Sequence, residues 1–144
     1  MLFFAKYLAS QEAIVDKLSI ESFGVRIYLR RAPAGCPRPL VVLNDVGGAP
    51  EYQLKGEIGD LPKTLQVDVY ADSAAECDEI SELIRLAPTS GYRGLMDQTY
   101  VHAVTIERES GTTEEPASGL DAPIYRNSID YRVHFNRAVV HSSY

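Results

Sequence analysis

The clearest hydrophobic pattern in the chain predicts a strand joined directly to a helix, between residues 63 and 87. From Leu65 to Ala71 apolar side chains alternate with polar ones, which is typical of a half-buried strand. Ser73 and Glu76 then have the spacing of a helix capping box, and apolar residues recur at helical intervals as far as Ala87. We expect this helix to fold back over the apolar face of the strand.

The rest of the chain predicts one more amphipathic helix and several strands. The helix covers residues 4 to 18, and its period is interrupted at Gln11. Strands are predicted over residues 25–29, 40–43, 100–107 and 129–135, with a weaker one over 52–55. Connections this short favour antiparallel pairing. We therefore expect an α+β fold with two layers, a mainly antiparallel sheet of four to five strands with two helices on one face, in a single domain over residues 1–144.

The second face of the predicted sheet lacks an obvious cover. Gln66, Asp68 and Tyr70 alternate with the apolar residues of their strand and so belong to this face. No third layer of helices is predicted to pack on it. We expect these three residues to meet water or another subunit.

Positive charge is concentrated in one segment, residues 26–38, although the whole chain has a formal net charge of −6. The acidic balance disfavours a protein that binds nucleic acid through a broad basic surface. The segment's prolines and glycine predict an irregular connection. Its four arginines could meet DNA phosphate or acids on a neighbouring copy, and we favour the second because complementary charge fixes register between partners. They are Arg26, Arg30, Arg31 and Arg38.

The matching acids lie between residues 107 and 123, where five acidic residues stand against one arginine. Large apolar residues are scarce there, so the composition predicts a mobile acidic loop between the last two strands. Glu114 and Glu115 are its candidate partner contacts. We expect this loop to become ordered against other proteins, and a short C-terminal tail to follow the last strand.

Candidate chemistry is sparse. The chain lacks a glycine-rich phosphate loop, its histidines are not spaced as metal ligands, and no serine or cysteine has a nucleophile pattern. Cys36 and Cys77 are too few for a disulfide framework, which favours a reducing cytoplasm. No apolar run approaches the roughly 20 residues of a bilayer span. We expect no catalytic residues, no cofactor, no metal and no membrane contact.

Three segments together carry a resemblance to a known family. They are FGVRIYLRRAPAG, CPRPLVVLNDVGG and LQVDVYADSAAECDEISELI, preceded by the first amphipathic helix. In this order they resemble the tail-completion or tail-terminator proteins of long-tailed bacteriophages and prophages. The likeness covers residues 1 to 86 and is most specific at Gln66–Ala71 with the capped helix that follows.

The resemblance implies a structural virion protein without catalytic activity. Proteins of this family assemble as a ring, usually a hexamer, on the head-proximal end of the tail tube. There they stop tube polymerisation and present the surface that joins the head. The implied partners are further copies of the chain, the tail tube protein and head-tail connector proteins, while DNA would pass through the ring without specific binding. The implied location is the virion tail, with assembly in the host bacterial cytoplasm.

Two other functions remain compatible with the sequence. A head-side connector protein of the same virion would also form a ring and lack catalysis. A small α+β enzyme or ligand-binding domain would instead need a deep pocket with convergent polar groups.

Overall fold

A computed structural model describes residues 2–46, 60–87, 92–96, 99–114 and 122–136. The weak strand predicted over residues 52–55 and the predicted C-terminal tail lie outside these ranges. Within them the helices are α1 (Leu2–Ala9), α2 (Glu12–Leu18) and α3 (Ala74–Leu86). The strands are β1 (Ser19–Ile20), β2 (Gly24–Val25), β3 (Ile27–Leu29), β4 (Leu40–Asp45), β5 (Asp60–Ala71), β6 (Gly94–Met96), β7 (Thr99–Glu114) and β8 (Ile124–Asn136).

Six of the described strands form one sheet in the order β3-β4-β5-β8-β7-β6, and β1 pairs separately with β2. Neighbours in the large sheet are antiparallel except β3 and β4, which are parallel. The predicted α+β class and mainly antiparallel sheet are confirmed. The sheet contains one strand more than the predicted range allowed, because β6, only three residues long, adds an edge.

The described helices pack on one face of the sheet, which we call the helix face. Phe4 of α1 lies fully buried against Tyr131 of β8, with ring centroids 5.2 Å apart. The Tyr131 hydroxyl donates a hydrogen bond to the Ile84 carbonyl of α3 at 3.3 Å. The alternating residues Val67 and Val69 of β5 are also fully buried in this core. Apolar side chains from both layers therefore remove each other from water, which is the main force that holds the layers together.

The predicted junction between strand and helix is confirmed. β5 ends at Ala71, and the Ser73 hydroxyl accepts a hydrogen bond from the Glu76 amide at 3.2 Å. This cap satisfies one of the free amides at the start of α3. The helix then buries Cys77, Ile80 and Ile84 toward the sheet.

The predicted first helix is two helices, so the expectation of two helices in total was wrong. α1 ends beside Ser10, whose hydroxyl donates to the Tyr7 carbonyl at 2.6 Å. Gln11 adopts an extended conformation and its carbonyl accepts the first hydrogen bonds of α2. Side chains that bond to nearby carbonyls compete with the helical ladder. The interruption of the apolar period at Gln11 marks this break.

The arginine-rich connection covers part of the opposite face, which we call the outer face. Arg30 has a φ of +67°, a left-handed conformation that ends β3 and is uncommon for residues other than glycine. The Tyr28 hydroxyl contacts the Cys36 thiol at 3.2 Å, so the connection lies over β3. Leu40 and Val42, on the same face, are only 8% and 7% exposed. The apolar run at residues 40–43, which does not alternate, predicts a strand covered on both faces, and β4 confirms this. The broader expectation that nothing in the chain covers the outer face was wrong at β3 and β4.

The acidic segment is also more ordered than its composition predicts. Residues 107–114 belong to β7 and pair continuously with β8, from Arg108 with Asp130 to Glu114 with Ile124. The expectation of a loop over residues 107–123 was wrong for this part, because the backbone ladder to β8 orders residues that have little apolar surface to bury. Residues 115–121 lie outside the described ranges.

Candidate interaction surface

Arg26 is an internal structural residue and not part of an exposed basic patch. It is only 4% exposed. Its guanidinium donates to the carbonyls of Leu18 at 2.9 Å, Pro37 at 3.2 Å and Lys17 at 3.5 Å. A planar group with five donors suits this role, because it can bind several carbonyls at once. Arg26 therefore joins the end of α2 to the arginine-rich connection, and its prediction as an interface residue was wrong.

Asp68 is likewise withdrawn from solvent, although it lies on the outer face as predicted. Its side chain is 2% exposed. One carboxylate oxygen accepts a hydrogen bond from the Ser128 hydroxyl at 2.5 Å, and the other accepts from Arg126 at 3.2 Å. A buried carboxylate needs such partners, because burying an unpaired charge is costly. The carboxylate is thus satisfied within the chain, and the expectation that it faces water or a subunit was wrong.

Tyr70 and Gln66 flank Asp68 on the outer face, and both side chains are half-buried. The Arg126 guanidinium lies 5.7 Å from the centre of the Tyr70 ring, within the range of a cation–π contact. Burial raises the pKa of the Tyr70 hydroxyl. In register, Gln66 lies between Asn44 of β4 and Asp130 of β8. These two residues therefore belong to a surface that the chain itself only partly covers.

A groove of about 340 Å³ crosses the outer face between the arginine-rich connection and the β7–β8 hairpin. We call it the outer groove. Apolar side chains of Leu40, Val42 and Ile124 line it together with Tyr70. Charged side chains line it as well, namely Arg30, Arg31, Arg38 and Glu114. Five of the nine predicted contact residues therefore lie in one groove: Arg30, Arg31, Arg38, Tyr70 and Glu114. Glu115, the remaining acidic candidate, lies outside the described residues.

The charges of the outer groove differ in how they are neutralised. Arg38 pairs with Asp72 at 2.6 Å, and Glu114 lies 3.8 Å from Arg126. Arg30 and Arg31 are exposed, and within the described part of the chain their guanidinium groups have no ion-pair or hydrogen-bond partner. The groove therefore offers two available cations beside an apolar floor.

Sequence reasoning missed part of what β8 contributes to this face. Arg126, Ser128 and Asp130 alternate on one side of β8, opposite Tyr70, Asp68 and Gln66 of β5. The strand was predicted to begin only at Ile129, so Asp130 lay within the prediction and Arg126 and Ser128 did not. Asn127 on the opposite side of the strand is also polar, so the alternation of apolar and polar residues that could have extended the predicted strand is broken there. Two buried atoms here, Arg126 Nε and Asp130 Oδ1, lack a hydrogen-bond partner among the described residues.

Residues of metal-ligating types are scattered over the described ranges. No cluster of three or more potential metal ligands occurs there. His102 packs edge-on against Tyr100, with ring centroids 4.8 Å apart. The Cys77 thiol is buried and donates to the Val69 carbonyl at 3.3 Å, and burial raises its pKa to about 11. Among the described helices, none has the length and apolar character needed to cross a membrane.

Comparison with known proteins supports the fold. No protein-family model matches the chain, and no curated protein matches it. Among solved structures, one chain from "Virion of native gene transfer agent (GTA) particle" is similar, with a TM-score of 0.68 and 12% sequence identity. The match covers 93% of this chain and 92% of that chain. At this identity the similarity shows a shared fold.

Proposed function

We propose that the protein is a structural virion protein that closes the head-proximal end of a phage-like tail tube as a ring. In this role it stops tube polymerisation and forms the surface to which the head joins. The ring is a hexamer of this chain, assembled in the host bacterial cytoplasm. Its other partners are the tail tube protein and head-tail connector proteins.

The observation that carries this proposal is the fold similarity over nearly the full length of both chains. The similar chain comes from a virion particle, and the match leaves 7% of this chain and 8% of that chain uncovered. A fold alone does not define a function. The tail-end role comes from the second support, the resemblance of residues 1–86 to tail-terminator proteins.

The outer groove supplies a third support. A ring needs two different complementary patches on each subunit, because every copy contacts one neighbour on each side. Arg30 and Arg31 lie in the groove with no described partner, whereas the β7 strand carries most of its acids at another place on the sheet. Such separated charges suit contacts between copies.

Tail tubes provide the direct test. Tube protein is polymerised with and without the purified chain, and tube length and end structure are measured by electron microscopy. The expected result is a ring at one end of each tube and no further growth from that end. A variant with Leu95→Ser serves as a control. It removes an exposed apolar side chain outside the outer groove, so it should still close the tube end.

The alternative head-side role gives a different outcome in the same system. A head-side connector protein would leave tube growth unchanged and would instead bind DNA-filled heads that lack it. Binding to heads but not to tube ends would contradict the proposed tail-end role while leaving a virion function in place. Binding to neither structure would contradict both.

A further inference from the structure

Within the part of the chain that the structure describes, β7 presents a long edge without a paired strand. Its full length pairs with β8 on one side, whereas on the other side β6 pairs only with Thr99–Val101. Within the described ranges, nothing pairs with this side of β7 beyond Val101. Residues 107–114 are all exposed. A strand edge of this kind carries free amide and carbonyl groups and can receive another chain.

The same edge is acidic. Glu107, Glu109 and Glu114 stand against Arg108 along residues 107–114, which we call the acidic edge. A bulge between Ile106 and Arg108 interrupts its regular geometry. Charges and bulges prevent indiscriminate edge-to-edge pairing. They leave room for a partner whose charge is opposite.

The other end of the sheet is basic. β3 is the outermost described strand there, and it pairs only with β4. Residues 30–38, which we call the arginine loop, follow β3 directly and contain three arginines and no acid. Leu29, the last residue of β3, is 36% exposed although it is apolar. This end therefore combines positive charge with uncovered apolar surface.

We propose that the acidic edge of one copy docks against β3 and the arginine loop of the next copy. The inference rests on the proposed function and adds the contact that would build its ring. Arg30 and Arg31 meet Glu107 and Glu109 across this contact. β3 is only three residues long, so backbone pairing is short and the charged side chains set the register.

The geometry of the sheet suits a closed ring. The two complementary surfaces lie at opposite ends of one sheet, so each copy uses one surface for each neighbour. Such a head-to-tail contact closes when the rotation between neighbours divides a full turn. A contact between two identical acidic edges would instead set like charges against each other, which disfavours a two-fold dimer.

Existing ion pairs leave the acids available. Glu107 lies 3.3 Å from Arg132, and Glu109 lies 3.6 Å from Arg85. Both carboxylates are 40% exposed or more. Exposed pairs of this kind are weak. Each carboxylate can therefore face its present partner and an arginine from the next copy together.

Two charge-reversed variants test the contact. The first carries Arg30→Glu and Arg31→Glu, and the second carries Glu107→Lys and Glu109→Lys. Each variant alone places like charges across every contact, so we expect self-association at least about tenfold weaker than that of the wild type. Sedimentation measures the mass of each variant over a range of concentrations. Circular dichroism shows whether each remains folded.

Mixing the two variants is the decisive step. In an alternating ring the arginine loop of the first variant, which now carries two glutamates, meets the acidic edge of the second variant, which now carries two lysines. The unchanged arginine loop of the second variant meets the unchanged acidic edge of the first. Every contact then has opposite charges, provided that the number of copies is even. We expect the mixture to recover the wild-type mass. The single chain with all four reversals is expected to assemble alone.

Matched controls separate this contact from a general effect of charge. Arg30→Lys with Arg31→Lys keeps the positive charge and should leave the mass unchanged. Glu12→Lys with Asp16→Lys reverses two exposed acids on α2 and should also leave it unchanged.

The outcomes distinguish this inference from the proposed function. Unchanged mass in either charge-reversed variant, failure of the folded mixture to recover, or a monomeric wild type would each overturn the docking contact. Rings that form by another contact and still close tail tubes would leave the proposed function standing. Rings that follow the charge pattern but never bind tubes would keep the contact and contradict the function.

Discussion

The two faces of the sheet are built on different principles. On the helix face, side chains such as Val67, Val69 and Ile84 are fully buried and touch other apolar groups. On the outer face, Asp68, Arg126 and Ser128 bind one another by charge and hydrogen bonds. Apolar burial is additive and insensitive to exact direction, whereas a polar group must meet its partner at the right distance. The helix face therefore carries most of the stability, and the outer face carries specific contacts.

The largest effect is expected from a truncation on the helix face. Phe4→Ala removes a fully buried ring from its contact with Tyr131. We expect the free energy of unfolding to fall by about 3–5 kcal/mol, because the lost transfer energy is increased by the cavity that remains. Chemical denaturation measures the loss. The counterpart on the outer face, Tyr70→Ala, should cost less than half as much, and equal losses would contradict the difference between the faces.

Alkaline pH should weaken the helix face through Cys77. Burial raises the pKa of its thiol from 9.0 to about 11 in the folded chain. The neutral thiol therefore stabilises the folded state fully below pH 9, and this contribution is lost as pH rises toward 11. Its size is about 2–3 kcal/mol. Denaturation of the wild type and of Cys77→Ala at several pH values isolates it, since the other titrating groups are common to both chains. Parallel pH profiles would refute this origin.

Removing the charge of Asp68 tests the outer face. Asp68→Asn keeps the shape of the side chain but takes the carboxylate from Arg126 and Ser128. We expect a loss of about 2 kcal/mol in the free energy of unfolding, typical of a hydrogen bond to a charged group. In a double-mutant cycle with Arg126→Gln the two effects should be less than additive. Full additivity would show that the pair is not coupled.

The smallest effect is expected at an exposed ion pair of the outer face. Arg132 and Glu107 are 3.3 Å apart and both more than one third exposed. Arg132→Ala should change the free energy of unfolding by about 0.5 kcal/mol or less, because water screens the pair. The same measurement in 1 M salt should reduce even this difference. A loss comparable to that of Asp68→Asn would show that the exposure of an ion pair on this face does not determine its contribution to the free energy of unfolding.

The sequence predicts the helix face well because its rules are local. Alternation over Leu65–Ala71 and the spacing of Ser73 and Glu76 depend only on neighbours along the chain, and both features are present. The break at Ser10 and Gln11 escaped the prediction because a pair of side-chain hydrogen bonds at one carbonyl decides it. The apolar period shows an interruption at Gln11 but does not show that the helix ends there.

The candidate surface was predictable only in part, because it depends on contacts between distant segments. Arg30, Arg31 and Arg38 could be found as a cluster of charge. The role of Arg26 could not, since its partners are carbonyls of α2 and of the connection. The order of residues 107–114 likewise depends on the pairing with β8 and not on their own composition.

The position of β8 has a consequence for the newly made chain. It is the last described strand in the sequence, yet it lies between β5 and β7 in the sheet. Of the residue pairs that join β5 to β8, Ala71 and Tyr125 are the closest along the chain. Even this pair cannot form until the residues between them have been synthesised. At usual translation rates, the ribosome needs roughly 3–13 s to proceed from the end of β5 to the end of β8. Throughout that interval the side of β5 that later pairs with β8 lacks this partner. The nascent chain then depends on its helices to shield the apolar face of β5.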